Sequence, residues 1–137
     1  MAIFIMIAGS YTPISYAYLE GAWFWSVIVI QWFCVVLGLF FKVFYMKAPR
    51  ILSPILYMLM GWMAVIPLHI LWNNMPVATF LLMAAGGLAY SLGAVIYAIK
   101  KPNPLSGVFG FHEIFHLLIL AGAVLHYLMV YTVITSV

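Results

Sequence analysis

This chain has seven residues that carry a full charge, and they sit almost wholly between long apolar stretches, Glu113 in the last run being the exception. An ionised side chain at the centre of a bilayer costs about 2.5–3.5 kcal/mol even on the translocon scale, so such residues collect at the ends of spans. A soluble domain has roughly a quarter of its residues charged. Here the share is 5%, with 69% hydrophobic, and a water-soluble globular fold is excluded.

A helical span needs about 20 largely apolar residues. Five runs qualify, at about 2–19, 23–44, 52–72, 77–99 and 107–131. Without water the backbone must bond to itself, so these runs are expected as helices. Barrel strands would alternate with period two, and no such alternation is seen. The expected fold is an all-α polytopic transmembrane bundle of five spans, one domain over residues 1–137. Its joints are short: Glu20-Gly21, Lys47-Ala48-Pro49-Arg50, Asn73-Asn74-Met75-Pro76 and Lys100-Lys101-Pro102-Asn103-Pro104. Short joints make sequential helices antiparallel neighbours.

Orientation follows from the cations. Lys42, Lys47 and Arg50 cluster at the second joint and Lys100 with Lys101 at the fourth, while the first and third joints have none. The positive-inside rule puts the basic joints in the cytoplasm, the N-terminus inside and the C-terminus outside the cell membrane. Tyr18, Trp23, Trp25 and Trp72 then fall at outer ends, Tyr45 and Tyr97 at inner ends. The excess of five Lys/Arg over two Glu reflects loops facing an anionic leaflet, not nucleic acid. Cys34, the single cysteine, cannot form an internal disulfide. Met1 leads into Ala2-Ile3-Phe4-Ile5 with no basic n-region, so the start reads as a hydrophobic segment entered partway, not as a secretory signal.

Small residues recur at Ala85, Ala89 and Gly93, and again at Gly87 and Ser91, spacings that allow close helix packing in lipid. Pro13 and Pro67 lie inside runs and are expected to kink them.

Chemistry concentrates at the start of the last run. His112 and His116 are four apart, on one helical face, with imidazoles able to reach a common ion. Hydrogen bonding to neighbouring helices or headgroups is the plainer reading, but polar residues inside spans default to function. His69 and His126 lie toward the other side, and each is expected to be a hydrogen-bonding helix residue. His112-Glu113-Ile114-Phe115-His116 also spells HExxH, the zinc-protease string. A protease site needs a third ligand. The chain contains no Asp, Glu20 falls in the opposite joint, and Glu113 is expected to sit at the positive end of the helix dipole.

Two segments carry a family resemblance. Ile7-Ala8-Gly9-Ser10-Tyr11-Thr12-Pro13 resembles the IAGTYTP stretch in the third span of hemolysin III proteins. Gly86-Gly87-Leu88-Ala89-Tyr90-Ser91-Leu92-Gly93, then Tyr97, His112, His116, Gly122 and His126, resembles their sixth and seventh spans, and Gly61-Trp62 before Pro67 fits the fifth. Hemolysin III proteins belong to the progestin and adiponectin receptor (PAQR) superfamily. The resemblance implies a seven-helix protein with its amino end inside. It also implies a zinc ion near the cytoplasmic side, held by a second-span His and the HxxxH pair. His112 and His116 match that pair. The second-span His has no counterpart, nor does an Asp that the family places just before the position of Met1. The chain is accordingly expected to be the C-terminal part of a longer protein begun at an internal methionine, with its third ligand elsewhere or on a second subunit.

The implied activity is zinc-assisted hydrolysis of an amide bond in a membrane lipid, with Ser10, Tyr11 and Thr12 facing the polar interior or bonding between helices. Two other readings stay open: a pore-forming, cytolytic protein, as the family name implies, and a receptor or sensor without catalysis.

Overall fold

The structure, a computed structural model, describes residues 2–45, 52–105 and 107–136. Lys47 and Arg50, part of the basic second joint, lie outside the described residues. Six α-helices follow in order: α1 Ala2–Tyr18, α2 Gly21–Phe44, α3 Leu52–Trp62, α4 Leu68–Asn74, α5 Val77–Ile99 and α6 Phe111–Ser136. A single 3-10 turn, Met63–Val65, lies between α3 and α4. Among the described residues the nearest thing to a sheet is one isolated bridge, Leu105 to Phe109. The all-helical expectation holds.

Among the described residues, fewer than five of the expected spans are confirmed. Three helices, α2, α5 and α6, are long and apolar enough to cross a membrane. A fourth span exists if Pro54–Val65 and Leu68–Asn74, bent by 55° to each other, are taken as one. The first run yields only the 17 residues of α1, the lower limit of what crosses a bilayer.

Other boundaries also moved. The third run does not continue to Trp72 as one rod, because Pro67 has no N–H to donate and the chain turns there. Pro13 behaves differently: α1 runs through it uninterrupted. Asn73 and Asn74, expected in a joint, complete α4. The last helix begins at Phe111 rather than Gly107, since Gly107 adopts φ +86°, and the Leu105 and Phe109 backbones bond to each other at 2.9 and 3.0 Å. Left-handed backbone of that kind favours glycine and stops a helix from starting earlier.

Contacts fix the arrangement. Phe4 of α1 lies against Gly38 of α2 and Trp32 of α2 donates to Thr12 at 3.4 Å, so these two run antiparallel. Thr79 opposite Thr132, Gly86 opposite His126 and Gly93 opposite Leu118 give the same sense for α5 and α6. One buried cluster gathers Tyr11, Ile14, Val27, Leu71, Met129 and Val133 from four helices, and a second gathers Phe4, Ala8, Val35 and Met60. Much of the remaining apolar surface faces outward, including Trp25, Phe33, Phe40, Leu88 and Leu120, as a lipid-facing bundle requires.

The small-residue row is displaced by one position. Ala85 faces outward, and the α5 glycines that touch α6 are Gly86 and Gly93. A Cβ on Gly86 would fall 2.2 Å from the His126 ring, and one on Gly122 would fall 3.0 Å from the Tyr90 ring. Each helix therefore seats the other's aromatic ring in a glycine notch.

Candidate metal and ligand site

The break between α3 and α4 leaves backbone groups without their usual helical partners. Tyr11 meets two of them: its hydroxyl donates to the Gly61 carbonyl and accepts from the Ala64 N–H at 2.9 Å. Gln31, wholly buried on α2, donates its amide to the Met60 carbonyl at 2.9 Å. Irregular backbone at membrane depth is tolerated where neighbouring side chains satisfy it in this way. Of the three hydroxyls in the Ser10-Tyr11-Thr12 segment, Tyr11 thus bridges helices. Ser10 donates to the Met6 carbonyl, one turn back on its own helix, and Thr12 does the same to Ala8 while accepting from Trp32.

Beside this break lies a cavity of ≈ 670 Å³, bounded by residues of all six helices. Ser10 and Tyr11 line it from α1, Trp62 from α3, Ser91 from α5 and His112 from α6. Most of the rest of its wall is aliphatic or aromatic. Trp62 donates to Ser91 at 3.0 Å, the one side-chain hydrogen bond between α3 and α5 among the described residues.

His112 and His116 stand in the first turns of α6. Their Nε2 atoms are 3.1 Å apart, with ring centroids 4.6 Å apart and planes at 85°. Both are exposed, and His112 also lines the cavity. At that separation one nitrogen can donate to the other, or both can face one ion. For zinc–nitrogen bonds of roughly 2.0–2.1 Å, the observed separation corresponds to an angle of roughly 100° at the metal, close to tetrahedral. The pair thus fits two corners of a zinc site. No cluster of three or more His, Cys, Asp or Glu side chains suited to a metal exists among the described residues.

The other polar groups have separate tasks. Glu113 accepts from the Gly110 N–H at 2.8 Å, and Asn103 accepts from the Phe111 N–H at 3.0 Å. Gly110 is the residue before the helix and Glu113 its third residue, so the carboxylate makes half of a capping box. That bond accounts for Glu113 without any role as a base. His69 and Asn73 face each other at 3.4 Å within α4, and His126 lies 3.4 Å from the Met83 carbonyl; both are the hydrogen-bonding residues expected. Tyr18 departs from the interfacial reading, because its hydroxyl is buried without a partner among the described residues. Trp23, Trp25 and Trp72 are exposed as that reading requires. The support given by Tyr11 and Gln31 to the broken span was not anticipated, although Gln31, an uncharged polar residue within an apolar run, is a signal that could have found part of it.

The family described as Haemolysin-III related matches residues 1–127 of this chain. Hemolysin-3 of Bacillus cereus is 33% identical over 129 residues, covering 94% of this chain and 56% of the relative. The Hemolysin-3 homolog of Bacillus subtilis (strain 168) is 35% identical over 122 residues, covering 89% and 54%. Heptahelical transmembrane protein ADIPOR2 of Oryza sativa subsp. japonica is 42% identical over 91 residues, covering 59% and 40%. The chain spans about half the length of the two bacterial relatives. No solved structure matches it.

Proposed function

This chain belongs to the haemolysin-III related family, and from that premise we propose that its helices contribute to a site for zinc-dependent hydrolysis of amide bonds in membrane lipids. The observation that carries the reading is the convergence of His112 and His116 to 3.1 Å beside a large apolar cavity. When bound, zinc supplies Lewis acidity and lowers the pKa of a water toward neutrality. The two histidines would hold the metal through Nε2. The cavity wall receives an acyl chain, and Lys42, which also lines the cavity, faces a polar head at that end. A zinc site of this kind wants three protein ligands, so a third comes from beyond the described residues, in a longer protein or a second subunit.

The site then lies at the cytoplasmic side of a cell-membrane protein. Lys42 near the end of α2, and Lys100 and Lys101 after α5, support that orientation, with the N-terminus inside. Counting α1 and the bent α3–α4 pair as spans gives five and puts the C-terminus outside.

Zinc content is the test. Purified chain and full-length Bacillus cereus Hemolysin-3 are compared by elemental analysis, with fatty-acid release from ceramide as the activity. The full-length relative is expected to hold one zinc and release fatty acid, and substitution of its residue aligned with His116 abolishes both. In this chain His116→Ala removes whatever zinc is retained. A metal-free full-length relative sinks the reading.

The name of the Bacillus cereus relative, Hemolysin-3, favours a second reading, permeabilisation of membranes. Dye leakage from liposomes that survives His116→Ala would support it. The predominantly apolar cavity wall is poorly suited to conducting ions through one copy.

A further inference from the structure

We propose that Tyr90 and His126 form a second polar recognition point in the cavity, separate from the HxxxH pair, that binds a hydroxyl group carried on the apolar chain of a lipid-like ligand. The two rings come from facing helices, with centroids 5.3 Å apart and planes at 70°. Both line the cavity. Gly86 and Gly122 hold them in place, since a Cβ on either glycine would meet the opposite ring.

Their hydrogen-bonding capacity is not used up. The Met83 carbonyl can only accept, so the Nε2 that faces it at 3.4 Å carries the hydrogen. Nδ1 of the neutral ring is then a bare acceptor. The Tyr90 hydroxyl has no hydrogen-bond partner in the protein among the described residues. The neighbouring polar groups on the wall are committed: Tyr11 to Gly61 and Ala64, Trp62 to Ser91, and Ser91 to the Gly87 carbonyl at 2.8 Å. Neither atom is among the sealed, unpartnered polar atoms of the interior, so both stay accessible on residues that line the cavity, and a ligand hydroxyl can donate to Nδ1 and accept from Tyr90. His126 is 14 residues beyond His112 on one helix, about 21 Å along its axis, so the hydroxyl sits far down the chain from a head held near His112.

The inference needs the cavity but neither the metal nor hydrolysis, so it is tested with chelator present. Purified chain in nanodiscs is titrated with palmitic acid, omega-hydroxypalmitic acid and a mid-chain hydroxypalmitic acid, following Trp fluorescence. In the wild type one hydroxylated acid should bind about three- to tenfold tighter than palmitic acid, the net of two neutral hydrogen bonds less the desolvation of the ligand hydroxyl. Tyr90→Phe and His126→Asn should each erase that advantage, the hydroxylated acid then binding no tighter than palmitic acid to the same variant, with helicity intact by circular dichroism. Equal affinities in the wild type, an advantage surviving both substitutions, or no binding of any of the three acids overturns the proposal.

Discussion

The α5–α6 pair and the α3–α4 segment are held by opposite means. In the pair, glycines let one helix come close enough to seat the other's rings, and contact is mainly van der Waals. In the segment, the helix is interrupted at Met63–Pro67, and side chains from α1 and α2 reach across to satisfy its backbone. Shape holds the first region together. Hydrogen bonds to buried backbone hold the second, and they do so beside the cavity. The comparison teaches that apolar runs of similar appearance are stabilised by interactions that fail in different ways.

The sharpest way to break the contrast is Tyr11→Phe, which leaves the Gly61 carbonyl and Ala64 N–H without their partner. A backbone group left unpaired at membrane depth, where water does not replace the partner, costs about 1–3 kcal/mol. A loss of about 2–4 kcal/mol is expected in reversible unfolding in detergent micelles, with faster hydrogen exchange confined to α3 and α4. An unchanged exchange rate at Ala64 would refute the role given to Tyr11. Gly86→Ala is next. Its methyl group would displace the His126 ring, with an expected cost of about 1–3 kcal/mol from overpacking. Adding His126→Ala should recover much of that loss, and simple additivity of the two would show that the notch is not what couples the helices. The smallest effect sharpens a third point, the start of α6. Glu113→Gln keeps the capping bond and should leave amide exchange at Gly110 unchanged, whereas Glu113→Ala should speed it. Loss of zinc in the full-length relative on the matching Gln substitution would mean that this carboxylate serves the metal.

Hydropathy located the helices well because burial in lipid depends on composition summed over many residues. Helix ends and contacts were less legible. Leu105 to Phe109 is apolar throughout except for Ser106 and Gly107, so the turn there resembled the start of a span. Gly86 and Gly87 are neighbours in sequence, and only the position of His126 decides which one must be glycine. Pro67 announced the break in the third run, but nothing local indicated that Tyr11, over 50 residues earlier, would support it. The HxxxH pair was legible because four residues is one helical turn. No third ligand was legible beside the pair, and no cluster of three such side chains exists among the described residues.

Asn103 accepts from the first N–H of α6 while donating to the Lys100 carbonyl at the end of α5, at 3.0 and 3.2 Å. One amide therefore fastens two helices across their connecting loop. The azimuth of α6, and with it the direction in which both imidazoles point, is geared to the tail of α5. His112 lies one residue beyond that anchored N–H, so the pair of imidazoles starts from a fastened end of the helix.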